Sequence, residues 1–306
     1  MKKKPLVVLT GPTAVGKTKA SIGLAKAIGG EIISADSMQV YEYMDIGSAK
    51  IRPKEMQGIP HYLVDELKPW DEFHVARFQQ MAKKAMEQIF VGGTGFYIQA
   101  LLYDIDFTST SQDDNYRQDL ENLAKEKGAE YLHNMLREID PKSAEDIHAN
   151  NIKRVIRALE YYHQTGQKMS RHNEEERQKE SPYEFVYFVL NAPREQLYQR
   201  IDRRVDQMMS EGLVEEVKRL KEMGCTKEMV SMQGLGYKEI LAYLDGEYAL
   251  DEAVYTIKRD TRHFAKRQLT WFRRERQVTW IQKEKYDYDE EKILEAMISH
   301  LEGKIC

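Results

Sequence analysis

The sequence predicts an α/β protein, a parallel-sheet core interrupted by an all-helical insertion, and three observations carry that expectation. First, a continuous β-type run at residues 6–10 stops at Gly11, a helical pattern follows from Lys17 to Ile28, and residues 31–34 read as a second short strand. Strand–helix–strand units of this kind imply a parallel pair with a right-handed crossover. Second, from about Tyr103 to Ser181 the chain is polar, charged and poor in β-branched clusters. Third, the run FVYFVL at residues 185–190 signals a return to the first sheet. We therefore expect a core domain from residues 1–103 and 182–306 and a helical insertion domain at residues 104–181.

In chain order, the apolar residues 6–9 follow Met1-Lys2-Lys3-Lys4, which resembles the start of a signal peptide; the stretch is too short for one and reads as a buried strand. Ile22, Leu24, Ala25 and Ile28 give the next helix its apolar face, and Gly29-Gly30 stops it. Residues 71–89 are expected to form an amphipathic helix, with Phe90-Val91 a strand end before the turn Gly92-Gly93-Thr94-Gly95. Helix and strand meet there without turn residues, whereas helix-to-strand loops take about 2–6 residues, so a few residues are expected to be absent at this joint. In the insertion, helices are expected at 114–126, 129–139, 141–149 and 151–164, with the charged residues 173–180 a mobile solvated segment. From Pro193 the pattern is helical again.

Composition narrows the function classes. With 42% hydrophobic and 31% charged residues among 306, the chain is expected to be soluble and globular. Its net charge of −4 excludes a globally basic nucleic-acid coater but not a local basic patch. The 2 cysteines, Cys225 and Cys306, cannot build a disulfide framework or a zinc site, which points to a cytoplasmic setting. No apolar run approaches the roughly 20 residues that span a bilayer, so no membrane partner is expected.

The chemistry begins at Gly11-Pro12-Thr13-Ala14-Val15-Gly16-Lys17-Thr18, which matches G-x-x-x-x-G-K-[ST] between a strand and a helix. Glycines let the backbone wrap a phosphate, the helix N-terminus offers N–H groups, Lys17 adds a charge, and Thr18 can ligate Mg²⁺. The core is therefore expected to be P-loop NTPase-like. The motif binds phosphate or diphosphate but does not choose among kinases, ATPases and other chemistries. Asp36 follows the second strand and should reach the same sheet edge, where it could hold Mg²⁺, act as a general base, or merely cap a helix. Gly92-Gly93-Thr94-Gly95 could reach that edge or be a plain turn.

In order, GPTAVGKT, DSMQVY, MDIGSAK, VGGTGFYIQAL, HANNIKRVIRALE, RIDRRVDQM, GLVEEV, GLGYKE and FAKRQLTWFR resemble the tRNA dimethylallyltransferase (tRNA isopentenyltransferase) family along almost the whole chain. Two departures are the short joint near Ile89-Phe90 and Ala149 in place of a proline; without a cysteine–histidine extension, the chain is similar to the shorter bacterial type. The resemblance implies transfer of a five-carbon allyl group from dimethylallyl diphosphate to N6 of the adenine 3′-adjacent to the anticodon, tRNA position 37, in tRNAs reading codons that begin with U. It implies Asp36 as general base, Arg204 as the arginine neutralising the diphosphate, and Thr13 on the donor's bridging oxygen. Ser37, Met38, Gln39, Thr94 and Arg117 match tRNA-contact positions, as does Asp36 itself. It also implies Mg²⁺ as cofactor, the tRNA anticodon stem-loop as partner, and a monomer.

By themselves, Arg200, Arg203 and Arg204 read first as a solvated helix face paired with Asp202 and Asp206. Residues 258–276 carry Lys258, Arg259, Arg262, Lys266, Arg267, Arg273, Arg274 and Arg276 against Asp260 and Glu275, with Phe264 and Trp271 expected in the core. This stretch and Lys153, Arg154 and Arg157 on the insertion form two basic patches suited to RNA phosphates. The alternatives are a phosphate-loop small-molecule kinase and a non-catalytic RNA-binding module.

Overall fold

The structure, a computed structural model, describes residues 3–85, 89–107 and 114–304. It divides into two compact units, residues 1–102 with 182–306, and residues 103–181. The first contains β1 (Lys4–Thr10), α1 (Lys17–Ile28), β2 (Ile32–Ala35), α2 (Pro53–Met56), β3 (His61–Tyr62), α3 (Val75–Ala85), β4 (Ile89–Gly92) and α4 (Gly95–Leu102). The second is helical: α5 (Asp114–Lys127), α6 (Ala129–Ile139), α7 (Pro141–Asp146), α8 (Ile152–Thr165) and α9 (Met169–Gln178). The first unit then resumes with β5 (Tyr183–Asn191), α10 (Arg194–Glu211), α11 (Leu213–Glu222), α12 (Tyr237–Leu244), α13 (Leu250–Phe272), β6 (Val278–Gln282) and α14 (Glu290–Glu302).

The six strands form one parallel sheet in the order β3-β2-β4-β1-β5-β6. β1 is central, pairing Val7 with Ile89 on one side and with Val186 on the other. Its residues 6–10 are buried, as expected of a run covered on both faces. Strand order reverses at β1, and in open α/β sheets such a switch point, at the carboxyl ends of the strands, is where ligands bind. Val7, Leu9, Leu24, Val186, Phe188, Ile293 and Met297 belong to one apolar core that joins β1 and β5 to α1 and α14. The helical unit has its own core around Leu132, Leu136, Val155 and Leu159.

Three expectations about elements are corrected. Helix α3 starts at Val75 rather than residue 71, because Lys68 N–H donates to Asp71 Oδ2 in a preceding turn and helical bonding begins with Phe78 N–H to His74 O. Its far end, and the joint thought to lack residues, fall at residues 86–88, outside the described residues. Helix α7 ends at Asp146, where His133 Nε2 meets the carbonyls of Ala144 and Ile147. The charged stretch expected to be mobile is largely helix α9, steadied by Arg171–Glu175 at 2.8 Å and by the burial of Glu176. Strands β3 and β6 extend the sheet at its two edges; neither was anticipated.

Candidate active site

Residues 11–16 connect β1 to α1 as a tight loop. Gly11 has φ +150°, and a Cβ there would lie 2.4 Å from the Leu190 carbonyl of β5, so no larger residue fits. Gly16, at φ +100°, caps α1 without a side-chain bond, and the first turn of α1 holds no acidic residue. The positive end of that helix is left for an anion. Lys17 Nζ folds back to the carbonyls of Gly11 at 2.9 Å and Pro12 at 3.1 Å. Thr18 is exposed on the same turn.

One charged side chain meets this loop, and a second acts on it through its charge. Arg204 of α10 is half-buried, its Nη1 3.5 Å from Thr13 Oγ1. Asp36 lies just past β2, where a turn rather than a helix follows, so it is not a helix cap. Its Oδ1 accepts the Met38 N–H at 2.9 Å. Burial, then the Arg204 charge, bring the Lys17 ammonium down to about 8, and Asp36 works against both. Burial likewise lowers Arg204, opposed by Asp36 and reinforced by Arg200. Lys17 and Arg204 are thus partly desolvated beside the loop, and Asp36 is the carboxylate whose charge offsets theirs.

Sequence reasoning missed Gln268 of α13. It is 6% exposed, accepts the Thr13 N–H at 2.9 Å through Oε1, and donates to Gly93 O at 2.9 Å through Nε2. One side chain thereby ties the phosphate loop to the turn after β4. The available signal was a polar residue on the buried stripe Ala265–Gln268–Phe272. Thr94 sits beside it, its N–H 3.4 Å from Ala35 O and its carbonyl accepting from Tyr97 N–H at 3.0 Å, so the glycine-rich turn does reach the sheet edge that carries Asp36.

The basic stretch of α13 is heterogeneous. Lys258 pairs with Asp206 and Arg262 with Asp202, both at 2.5 Å, so the partners once considered for the α10 arginines belong to α13. Lys266, Arg267 and Arg274 instead line an open groove of about 380 Å³ with His263, Thr270 and Trp271. Phe272 is the core aromatic of this segment, while Phe264 and Trp271 are only half-buried. On the helical unit Lys153 and Arg154 are exposed on α8 and Arg157 is half-buried. Arg117 has a second occupation: its Nε and Nη2 donate to the buried Glu160 carboxylate at 2.9 and 2.8 Å, joining α5 to α8.

Fold and site define a phosphate-loop-like α/β protein with an arginine of α10 beside the loop. A family model described as IPP transferase matches residues 39–275, and one described as isopentenyl transferase matches residues 4–68. The chain belongs to this isopentenyl transferase family. It is 60% identical to the tRNA dimethylallyltransferase of Lachnoclostridium phytofermentans over 98% of each chain, and 54% identical to that of Acetivibrio thermocellus over 94% of this chain and 95% of the relative. Among solved structures, the full-length tRNA isopentenylpyrophosphate transferase of Bacillus halodurans matches with a TM-score of 0.70 and 43% identity, over 99% of this chain and 98% of that one. A eukaryotic dimethylallyltransferase acting on tRNA matches with a TM-score of 0.76 and 30% identity, over 91% and 74%.

Proposed function

We propose that the protein transfers the dimethylallyl group of dimethylallyl diphosphate to N6 of adenine 37 in tRNAs reading codons that begin with U, acting in the cytoplasm as a monomer. One observation carries the reading: Arg204 Nη1 lies 3.5 Å from Thr13 Oγ1 in the phosphate loop, and the Asp36 charge acts on both Lys17 and Arg204. A kinase could use the same charges; the relatives are named as transferases acting on tRNA rather than as kinases, which favours transfer.

In the reaction the N6 lone pair attacks C1 of the allyl group. The C1–O bond breaks, and its electron pair leaves with the diphosphate. The proton lost from N6 passes to the Asp36 carboxylate. N6 is a weak nucleophile because its lone pair is delocalised into the ring, so removing that proton as charge develops helps the attack. Residues 11–18, with Lys17 and Arg204, neutralise the growing charge of the leaving group, and Thr13 holds its bridging oxygen. Magnesium suits the site in the way it usually accompanies phosphates, held by few protein oxygens: Thr18 is exposed beside the loop, and no cluster of three acidic, histidine or cysteine ligands occurs among the described residues. When bound, it would supply further charge neutralisation to the diphosphate.

On the acceptor side, Ser37, Met38, Gln39 and Thr94 contact the tRNA from the core unit, and Lys153, Arg154 and Arg157 from the helical unit. Arg117 adds only the outer edge of a guanidinium already held by Glu160. An unmodified tRNA incubated with dimethylallyl diphosphate or with ATP tests the reading. A gain of one five-carbon unit at adenine 37 with the first donor alone is expected. Phosphoryl transfer, or no change with either donor, would overturn it.

A further inference from the structure

Residues 44–50 offer no obvious chemistry, yet the core holds them with a buried carboxylate. Glu216 of α11 is 2% exposed. Its Oε2 accepts the N–H groups of Asp45 at 3.0 Å and Ile46 at 2.8 Å, and its Oε1 accepts that of Gly47 at 3.1 Å. Consecutive backbone N–H groups in a turn make a concave anion site; here the anion is a side chain of the same protein. The Tyr237 hydroxyl at the start of α12 donates to Glu216 Oε1 at 2.8 Å and accepts the Ser48 N–H at 3.1 Å. Burial and the Glu216 charge push this phenol well above its ordinary value, so it remains a donor. A Cβ on Gly47 would fall 2.6 Å from the Tyr237 ring.

The contacts continue to the Asp36 turn. Gln39 Nε2 donates to Ala49 O at 3.3 Å, and its Oε1 accepts from Ser34 Oγ at 3.4 Å. Met38, whose N–H fixes Asp36 Oδ1, presses its sulfur against Gly234, where a Cβ would come within 2.5 Å. A line of close contacts therefore runs from α11 and α12 through residues 45–49 to Gln39 and on to Ser34, whose Oγ also accepts the Asp36 N–H at 3.4 Å.

We propose that Glu216 and Tyr237 are positioning residues for the acceptor adenine, fixing through residues 45–49 and Gln39 where the Asp36 turn meets the incoming N6. The inference rests on the transferase reading above. It assigns work to MDIGSAK, GLVEEV and GLGYKE, which carry no reacting group. Tyr237→Phe removes one oxygen without changing volume and leaves the Ser48 N–H without its acceptor. Glu216→Gln sets an amide N–H₂ among backbone donors.

Steady-state transfer would be measured with each substrate varied in turn, alongside thermal unfolding. The expected result is a kcat reduced by roughly 10–100-fold, the scale of an ångström-sized misplacement, with the KM for dimethylallyl diphosphate within about twofold of the parent. If Glu216→Gln does not fold, Tyr237→Phe decides. A Tyr237→Phe enzyme with kcat within twofold of the parent overturns the inference. So does one in which the donor KM worsens in step with lost thermal stability, since that marks a merely structural bond. A parent enzyme that transfers no prenyl group overturns the transferase reading and this inference together; an active parent with unaffected variants overturns this inference alone.

Discussion

Lys17 titrates where its state can be followed. With its ammonium brought down to about 8 by burial and by Arg204, the unliganded site loses a positive charge as pH rises through that value. A bound diphosphate favours the charged form and lifts the pKa, so donor binding at pH 8.5 should take up a proton, and donor affinity should fall as pH rises above 8. Calorimetry in two buffers of different ionisation enthalpy measures the uptake, which Lys17→Met should abolish. Asp36→Asn keeps the shape and removes the proton acceptor. Turnover should drop by about 10²–10⁴-fold with donor affinity preserved; loss of tRNA binding with normal single-turnover chemistry would make Asp36 a binding residue instead. The course of residues 11–18 was legible in the sequence because a loop wrapped on a phosphate needs glycine where a Cβ would strike the Leu190 carbonyl. The pairs Arg117–Glu160 and Arg262–Asp202 were not, because their members are far apart in the chain and only folding brings them together.

At the level of elements, α13 reaches into the site through Gln268 and carries a titratable end. Glu275, just past the helix and accepting from Gln99 Nε2 at 2.8 Å, is pushed up to about 7, chiefly by burial. Between the ordinary value of 4.5 and about 7 the folded protein therefore holds more protons than the unfolded chain, and stability falls as pH rises through that window. Glu275→Gln removes the penalty, so its melting temperature should match the parent near pH 4.5 and exceed it above pH 7; an equal difference at both pH values would contradict this. Gln268→Met should strand the Thr13 N–H and the Gly93 carbonyl, each at a cost of about 1–3 kcal/mol, and weaken donor binding. Strand β1 and helix α1 could be read from the chain because an apolar run and a 3.6-residue stripe are local patterns. Strand β6 could not: its residues Val278, Thr279 and Trp280 are only half-buried at a sheet edge, and its partner is β5. Helix α9 was hidden by charge, since composition cannot show that Arg171 and Glu175 neutralise each other across one turn.

For the whole molecule, the split character of α13 makes RNA binding testable by salt. Each phosphate contact should contribute roughly 0.7–0.9 to the slope of log affinity against log salt. Arg154→Ala and Lys266→Ala should each flatten that slope by about one such step, whereas Arg262→Ala, whose charge is met by Asp202, should leave it unchanged. Unaltered slopes in the first two would make those charges solvated faces. The pairing of β1 with β5 also bears on how the chain is born. Val7 must find Val186, and closing that loop costs entropy that grows with its length. The intervening helices, whose contacts are local, are synthesised while the first strand has β4 on one side but still lacks β5 on the other. A released fragment ending at residue 181 should thus resist protease across residues 114–181 and be cut more readily across residues 3–85, where β1 lacks its β5 neighbour. The phosphate loop would gain its Leu190 wall past the midpoint of synthesis and its Gln268 brace later still, so the fully braced loop arrives only near the end of translation.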